Sequence, residues 1–226
     1  MTFPPWLVGL AHLALVLSLV VIVIVSPLLV FFTPGFVRYE YARRGFPPST
    51  RFAHEERLRI SDAIMAYLRG ERTRDELAAV RTDGGEIALR EREVDHLVDV
   101  KRVLDRFFLA YAISWILGAL CLAALWFSPH RAGVYRCLRQ SAWVIVGLMG
   151  LILVSSLIDF DTFFTRFHQM FFSANSWTFY IEDTLIQLYP LVFWMDTVKK
   201  LVVTILVETG ILYGLSVALH RATRSR

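Results

Sequence analysis

The sequence predicts an all-α membrane protein with four transmembrane helices and a small extracellular cap. Three apolar stretches, at 5–32, 107–127 and 138–158, reach the length of about twenty residues that crosses hydrocarbon as a helix. A fourth, at 201–219, is interrupted once by Glu208. A long charged segment separates the first stretch from the second, and it supplies most of the predicted cap.

The predicted orientation places both termini in the cytoplasm. The short turn at 128–140 contains three arginines and no acidic residue, and the tail at 220–226 contains three more arginines. Because Lys and Arg in short flanking loops mark the cytoplasmic side, both places favour the same orientation. The first stretch is longer than the apolar core of a secretory signal, so it is expected to be an uncleaved span of a multi-pass protein of the cell membrane.

This orientation divides the chain into five segments. They are 1–32, the first transmembrane helix; 33–105, the extracellular cap; 106–158, the second and third helices with a short cytoplasmic turn; 159–200, an extracellular or interfacial aromatic loop; and 201–226, the fourth helix with a basic tail.

Local signals predict the elements of the cap. Ser49 or Thr50 is expected to cap a helix that runs to about Arg69 and ends at Gly70. A capping-box pattern at 73–76 predicts a second short helix.

The remaining cap signals concern its two ends. The string at 33–36 (TPGF) is typical of a turn, and the string at 86–90 (EIALR) is compatible with a short strand. From about Arg90 the chain is expected to continue as one helix into the second span, whereas Pro190 is expected to interrupt helix in the aromatic loop.

Composition excludes several function classes. The net charge of +4 comes from bases that are mixed with acids or placed beside membrane ends, so it does not indicate nucleic acid. The sequence contains no zinc-finger spacing, Gly-rich phosphate loop or aromatic–basic RNA-binding motif, and we expect neither a nucleotide nor another cofactor. Two cysteines are too few for a disulfide framework.

His96 is the first candidate for catalysis. It lies in VDHLVDVKR, just before the second span, and Asp99 follows three residues later. On a helix the Asp99 carboxylate can reach the imidazole, fix its tautomer and leave the other ring nitrogen as a base. The alternative is a surface histidine on a charged helix.

His168 is the second candidate. It lies in an aromatic segment after the third span, where Phe160, Phe164, Phe167 and Phe171 repeat at helical spacing and Trp177 is close by. Aromatic rings concentrate at the membrane interface, so an imidazole here is expected to meet lipid head groups and ester bonds. An aromatic belt with an incidental histidine is the alternative.

Glu208 interrupts the fourth span and is a functional candidate by position. The interpretation we favour is a protonated carboxyl that is hydrogen-bonded inside the bundle, to a Ser, a Tyr or His12. A role in transport or catalysis is the alternative.

Three strings together resemble a known family. HLVDVK at 96–101, FFTRFHQMFFSANSW at 163–177 and LYPLVFWMD at 188–196 are similar to the corresponding strings of Lit, the lipoprotein intramolecular transacylase family of Gram-positive bacterial membrane proteins. The resemblance covers nearly the whole chain, in the order of its four spans and outer cap.

The resemblance implies a reaction and a pair of residues. Members act on lipoproteins whose N-terminal cysteine carries a diacylglyceryl thioether and a free amine, and they move the sn-2 acyl chain to that amine to give the lyso form. Their two catalytic histidines lie where the cap meets the membrane and map onto His96 and His168. We expect Asp99 and Lys101 to support them, and membrane lipids to surround the site.

The chemistry of the residues agrees with that reaction. Transfer from ester to amide is downhill, and a histidine that titrates near pH 6.5 suits a base that acts on an amine. The aromatic residues expected to hold the substrate are Phe164, Phe167, Phe171, Trp177 and Tyr189. Which histidine acts as base and which as acid does not follow from the sequence.

Two other functions stay open at this stage. One is a metal-dependent membrane hydrolase that uses His96, Asp99 and His168, although no His-Glu-x-x-His motif is present and we expect no metal. The other is a non-enzymatic membrane protein whose cap binds a partner.

Overall fold

The computed structural model describes residues 4–172 and 176–224, and within these ranges the chain is helical with no strand. The helices are α1 (Pro5–Val25), α2 (Leu28–Phe31), α3 (Pro34–Tyr41), α4 (His54–Leu68), α5 (Arg74–Ala78), α6 (Glu91–Trp126), α7 (Ala132–Ile158), α8 (Phe160–Phe171), α9 (Thr184–Leu188) and α10 (Leu191–Arg224).

Four helical segments in the described part of the chain are long and apolar enough to cross a membrane. They are Pro5–Phe31, Glu91–Trp126, Ala132–Ile158 and Leu191–Thr223. The four predicted spans are therefore confirmed. A turn that contains Pro27 separates α1 from α2, as expected of a residue that lacks an N–H and disrupts the preceding helical turn.

The chain divides into two compact units. One, the membrane unit, contains the described residues of 1–27, 107–159 and 201–226, and the other, the cap unit, contains 28–106 and 160–200 with the exception of 173–175. The two segments predicted separately as cap and aromatic loop therefore pack together in one unit. Helices α6 and α10 contribute residues to both units.

Two clusters of buried side chains form the core of the membrane unit. The first joins α1, α7 and α10, and the second joins α1, α6 and α7. Their members are Val20, Val23, Ala142, Ile145, Met149, Val202, Ile205 and Leu212 in the first, and Leu15, Val16, Cys121, Leu125, Val134 and Cys137 in the second. Both cysteines are free and buried.

Two pairs of polar side chains join spans within the membrane unit. The hydroxyl of Ser26 donates a hydrogen bond of 2.6 Å to a carboxyl oxygen of Glu208. His12 pairs instead with the side chain of Gln140. The favoured interpretation of Glu208, a carboxyl hydrogen-bonded inside the bundle, agrees with this geometry, and the partner is a serine.

Buried polar contacts tie the two segments of the cap unit together. The Arg57 guanidinium is 4% exposed; it donates to the Gln187 carbonyl at 3.0 Å and stacks 4.4 Å from the Tyr41 ring centroid. The hydroxyls of Ser61 and Tyr189 are hydrogen-bonded at 2.7 Å. These contacts fix the 184–190 segment against α4.

Some local predictions for the cap are confirmed. Thr73 and Glu76 form the predicted capping box at the start of α5, Gly70 ends α4 with a φ of +79°, and Pro190 separates α9 from α10. Glycine is favoured at Gly70 because a side chain is strained at that backbone angle.

Three local predictions are wrong. The string at 33–36 begins a helix, because Thr33 accepts the Phe36 N–H and Pro34 occupies the first position of α3, where its missing N–H costs nothing. The predicted strand at 86–90 is a single bridge between Arg81 and Ile87, since α6 begins almost at once. Ser49 caps a turn, accepting the N–H groups of residues 51 and 52, and α4 begins later, at His54.

Candidate active site

His168 lies near the C-terminal end of α8, and its ring is oriented by the helix itself. Its Nδ1 is 2.8 Å from the carbonyl oxygen of Phe164, one turn earlier. A carbonyl oxygen only accepts hydrogen bonds, so Nδ1 carries the proton in the neutral ring. The other nitrogen, Nε2, is therefore left with a lone pair that can accept a proton.

Aromatic rings surround His168. The ring centroids of Phe164 and Trp177 lie 3.9 Å and 4.8 Å from the His168 ring, and those of Phe167 and Phe172 lie 5.5 Å and 5.6 Å away. Three of the residues predicted to hold the substrate, Phe164, Phe167 and Trp177, therefore contact His168.

His96 lies on α6 and shares Phe172 with His168. Its ring centroid is 5.1 Å from that of Phe172 and 5.2 Å from that of Phe179. Its Nδ1 is buried and has no hydrogen-bond partner among the described residues. The cap unit thus brings both predicted histidines into one aromatic cluster, although they are far apart in sequence.

The expected hydrogen bond from the His96 ring to the Asp99 carboxylate is not formed in the described structure. The Asp99 carboxylate instead accepts from Arg102 at 2.8 Å, and the neighbouring Lys101 pairs with Asp105 at 3.1 Å. Asp99 and Lys101 each have a charged partner at helical spacing. A hydrogen bond between two charged groups is stronger than a hydrogen bond to a neutral imidazole. Lys101 contacts neither histidine in the described structure.

Tyr189 and Phe171, the other two residues predicted to hold the substrate, contact neighbours other than the two histidines in the described structure. Tyr189 is 5% exposed and packs against Phe193 and Trp194 in the core of the cap unit. Phe171 packs against Phe167 with ring centroids 5.1 Å apart. Among the described contacts, neither ring touches His168 or His96.

Burial keeps both imidazoles neutral. Burial, reinforced by His168 and opposed by Asp99, lowers the pKa of His96 from 6.5 to about 4. Burial also lowers the pKa of His168, and the hydrogen bond to the Phe164 carbonyl opposes that effect. At pH 7 each ring can accept a proton or a hydrogen bond without first losing a proton.

Phe179 is a neighbour of His96 that sequence reasoning missed. Arg92 lies over the Phe179 and Tyr180 rings, at 6.0 Å and 4.8 Å, and forms an ion pair with the fully buried Asp183. Asp183 also accepts the Tyr180 N–H at 2.7 Å. An acid and a base some ninety residues apart thereby hold the 179–183 turn against α6, and no local pattern signals this pairing.

The described residues contain no group of three His, Cys, Asp or Glu side chains that could hold a metal ion. The hydrolase alternative therefore has no three-ligand set in the ranges 4–172 and 176–224. His96 and His168 are placed by aromatic contacts instead.

These features define a multi-pass membrane protein in which two histidines share one aromatic cluster. The sequence profile of Lit, the lipoprotein intramolecular transacylase, matches residues 12–194, which is most of the chain. The chain belongs to this family, and the resemblance seen in its sequence strings is confirmed.

Individual proteins are also similar to this chain. The chain is 30% identical over 173 residues to an uncharacterized protein of Aquifex aeolicus (strain VF5), which covers 73% of this chain and 74% of the relative. It shares the fold of the Lit transacylase from Bacillus cereus, with a TM-score of 0.81 and 18% identity over 99% of this chain and 100% of that one. A variant of the same Bacillus protein, with one histidine replaced by alanine, matches with a TM-score of 0.74 and 19% identity over 97% of this chain and 96% of that one.

Proposed function

We propose that this chain moves the sn-2 acyl chain of a diacylglyceryl-modified lipoprotein from the glyceryl oxygen to the amine of the N-terminal cysteine. As a member of the family it is an acyltransferase whose substrates are lipoproteins. One observation carries the finer assignment: His168 is neutral, its Nδ1 is held by the Phe164 carbonyl, and its Nε2 is available as a base.

The reaction requires the protein mainly to hold the two reacting groups together and to transfer a proton. Both reacting groups belong to one substrate molecule, so holding them together replaces most of the entropic barrier. An amide is more stable than an ester, and no nucleotide is needed. The attacking amine must be neutral, and its pKa of about 8 lets a substantial fraction be neutral near pH 7.

His168 carries the proton in this proposal. The amine nitrogen bonds to the ester carbonyl carbon, and Nε2 of His168 takes the proton that the nitrogen then loses. The carbon–oxygen bond to the glyceryl group breaks, and the same Nε2 returns that proton to the leaving oxygen. Nδ1–H stays on the Phe164 carbonyl throughout, which keeps the ring oriented.

His96 takes a different part. With its pKa near 4 it is almost entirely unprotonated at pH 7, so it is a poor source of a full proton. We assign His96 a hydrogen bond to the substrate, because its Nδ1 is buried and has no protein partner in the described structure. The charge of Asp99 supports it electrostatically, since that carboxylate opposes the fall in the pKa of His96.

The aromatic rings favour transfer over hydrolysis. Phe164, Phe167 and Trp177 contact His168 with apolar surface, which suits an acyl chain and excludes water. Water would compete with the amine for the ester carbonyl. An apolar wall around the base therefore selects the amine that is tethered to the same substrate.

The experiment that tests the function is tandem mass spectrometry of a synthetic diacylglyceryl lipopeptide after incubation with the purified chain. Intramolecular transfer leaves the mass unchanged and moves one acyl chain onto the cysteine nitrogen, as its fragment ions report. A hydrolase would instead release a fatty acid and lower the mass, and a partner-binding protein would leave the lipopeptide as it was. Either of those two outcomes contradicts the proposal.

A further inference from the structure

The indole nitrogen of Trp177 is a buried donor without an acceptor. Trp177 Nε1 is inaccessible to solvent and makes no hydrogen bond with any described residue. An indole N–H can only donate, and leaving such a group buried and unpaired forfeits the hydrogen bond that it would make to water. A donor of this kind at a functional site is explained when the substrate supplies its acceptor.

The position of this donor is specific. The Trp177 ring lies 4.8 Å from the His168 ring at an interplanar angle of 33°, and 6.1 Å from the Phe164 ring. The unpaired N–H therefore belongs to the ring that lies beside the proposed base. Because this atom is inaccessible to solvent and lies among aromatic rings, a hydrogen bond from it to a charged oxygen is stronger than the same bond in water.

The proposed reaction develops a negative charge that His168 does not stabilise. When the amine attacks, the electrons of the carbonyl double bond move to its oxygen, which becomes an oxyanion. When the double bond re-forms, the glyceryl oxygen leaves with the bonding pair and receives the proton from His168. His168 cannot serve the oxyanion as a neutral donor, because its Nδ1–H is already on the Phe164 carbonyl.

We propose that the Trp177 Nε1–H donates a hydrogen bond to the oxyanion of the tetrahedral intermediate. This role rests on the proposed acyl transfer. It makes Trp177 a catalytic residue in addition to being one of the apolar rings that contact His168. The donor is fixed before the reaction, so no reorganisation is needed when the charge develops.

The test removes the N–H and keeps the ring. In the lipopeptide assay, Trp177→Phe and a variant with benzothienylalanine at 177, which replaces the N–H with sulfur, are expected to lower kcat by about 10–1,000-fold with little change in KM. Trp143→Phe is the matched control, since that side chain is 63% exposed on α7 in the membrane unit, and it is expected to keep the wild-type kcat.

The outcomes separate the two proposals. A benzothienylalanine variant with wild-type kcat overturns the oxyanion role, and so does a Trp177→Phe variant whose loss lies in KM or in thermal stability alone. In either case the wild-type chain still forms the N-acyl product, so the proposed function stands. Absence of that product from the wild-type reaction overturns the function itself.

Discussion

His96 has an unusual environment for a titratable side chain near a membrane. Its ring lies between Phe172 and Phe179, and burial lowers its pKa to about 4. The unfolded chain binds a proton at this residue below pH 6.5, whereas the folded chain does so only near pH 4. The contribution of His96 to stability is therefore present above pH 6.5 and is lost as the pH falls toward 4.

The direction of this pH dependence of stability gives a prediction for the variant His96→Phe. Between pH 7 and 4.5 the wild-type chain should lose several degrees more in Tm than the variant does, because the variant has no buried imidazole to protonate. Thermal unfolding in detergent measures this. His54→Phe is the control, since His54 is exposed at the start of α4, and it should follow the wild type. Equal pH dependence in His96→Phe and the wild type would contradict this account of the ring.

At the scale of residues, the sequence identified the two histidines and part of their surroundings. Helical spacing was enough to group Phe164 and Phe167 with His168, because those contacts are made within α8. Helical spacing could not show that Asp99 would pair with Arg102, or that Phe179 would contact His96. Those outcomes depend on competition between partners and on contacts between distant segments.

At the scale of elements, α1 and α6 approach each other closely at one glycine. A Cβ added at Gly118 would lie 3.2 Å from the Cβ of Ser18, which is tighter than ordinary van der Waals contact. Small residues allow helix backbones to approach closely in membranes, where tight packing replaces the hydrophobic effect between helices.

Gly118→Val should therefore lower the stability of the folded chain by about 1–3 kcal/mol, because the added atoms force the two helices apart. Gly150→Val on α7 is the matched control, since nothing lies within 4 Å of a Cβ there. Both variants carry the same helix propensity cost, and thermal unfolding in detergent separates the packing contribution. Equal losses of stability in the two variants would contradict this prediction, because the contact with Ser18 would then not account for the loss in Gly118→Val.

The elements themselves were largely predictable from the sequence. Apolar length alone gave the four spans, and the capping box, Gly70 and Pro190 gave several helix ends. Predictions failed where one signal serves two structures, as at 33–36, where Thr-Pro-Gly suits both a turn and a helix start. They also failed at 86–90, because α6 begins at Glu91 and the single bridge between Arg81 and Ile87 is not extended into a strand.

At the scale of the whole molecule, the distribution of charge predicts an orientation in the membrane. The arginines of the 128–140 turn and the C-terminal tail support a cytoplasmic position for both, and we propose that the cap unit, with the active site, faces outward.

Cysteine labelling tests this orientation. In a background with Cys121 and Cys137 replaced by serine, Glu71→Cys in the cap unit should react with a membrane-impermeant maleimide on intact cells. Thr223→Cys, near the end of α10, should react only after permeabilisation. The reverse pattern would contradict an outward-facing cap.

The central claim is that His168 carries the proton in acyl transfer, and one substitution tests it most directly. His168→Gln keeps a polar side chain of similar size but cannot take up the proton, so the rate of N-acyl lipopeptide formation should fall by about 100–10,000-fold. His54→Gln, an exposed histidine of the same unit, should convert the lipopeptide at the wild-type rate. Conversion by His168→Gln at the wild-type rate would contradict the account.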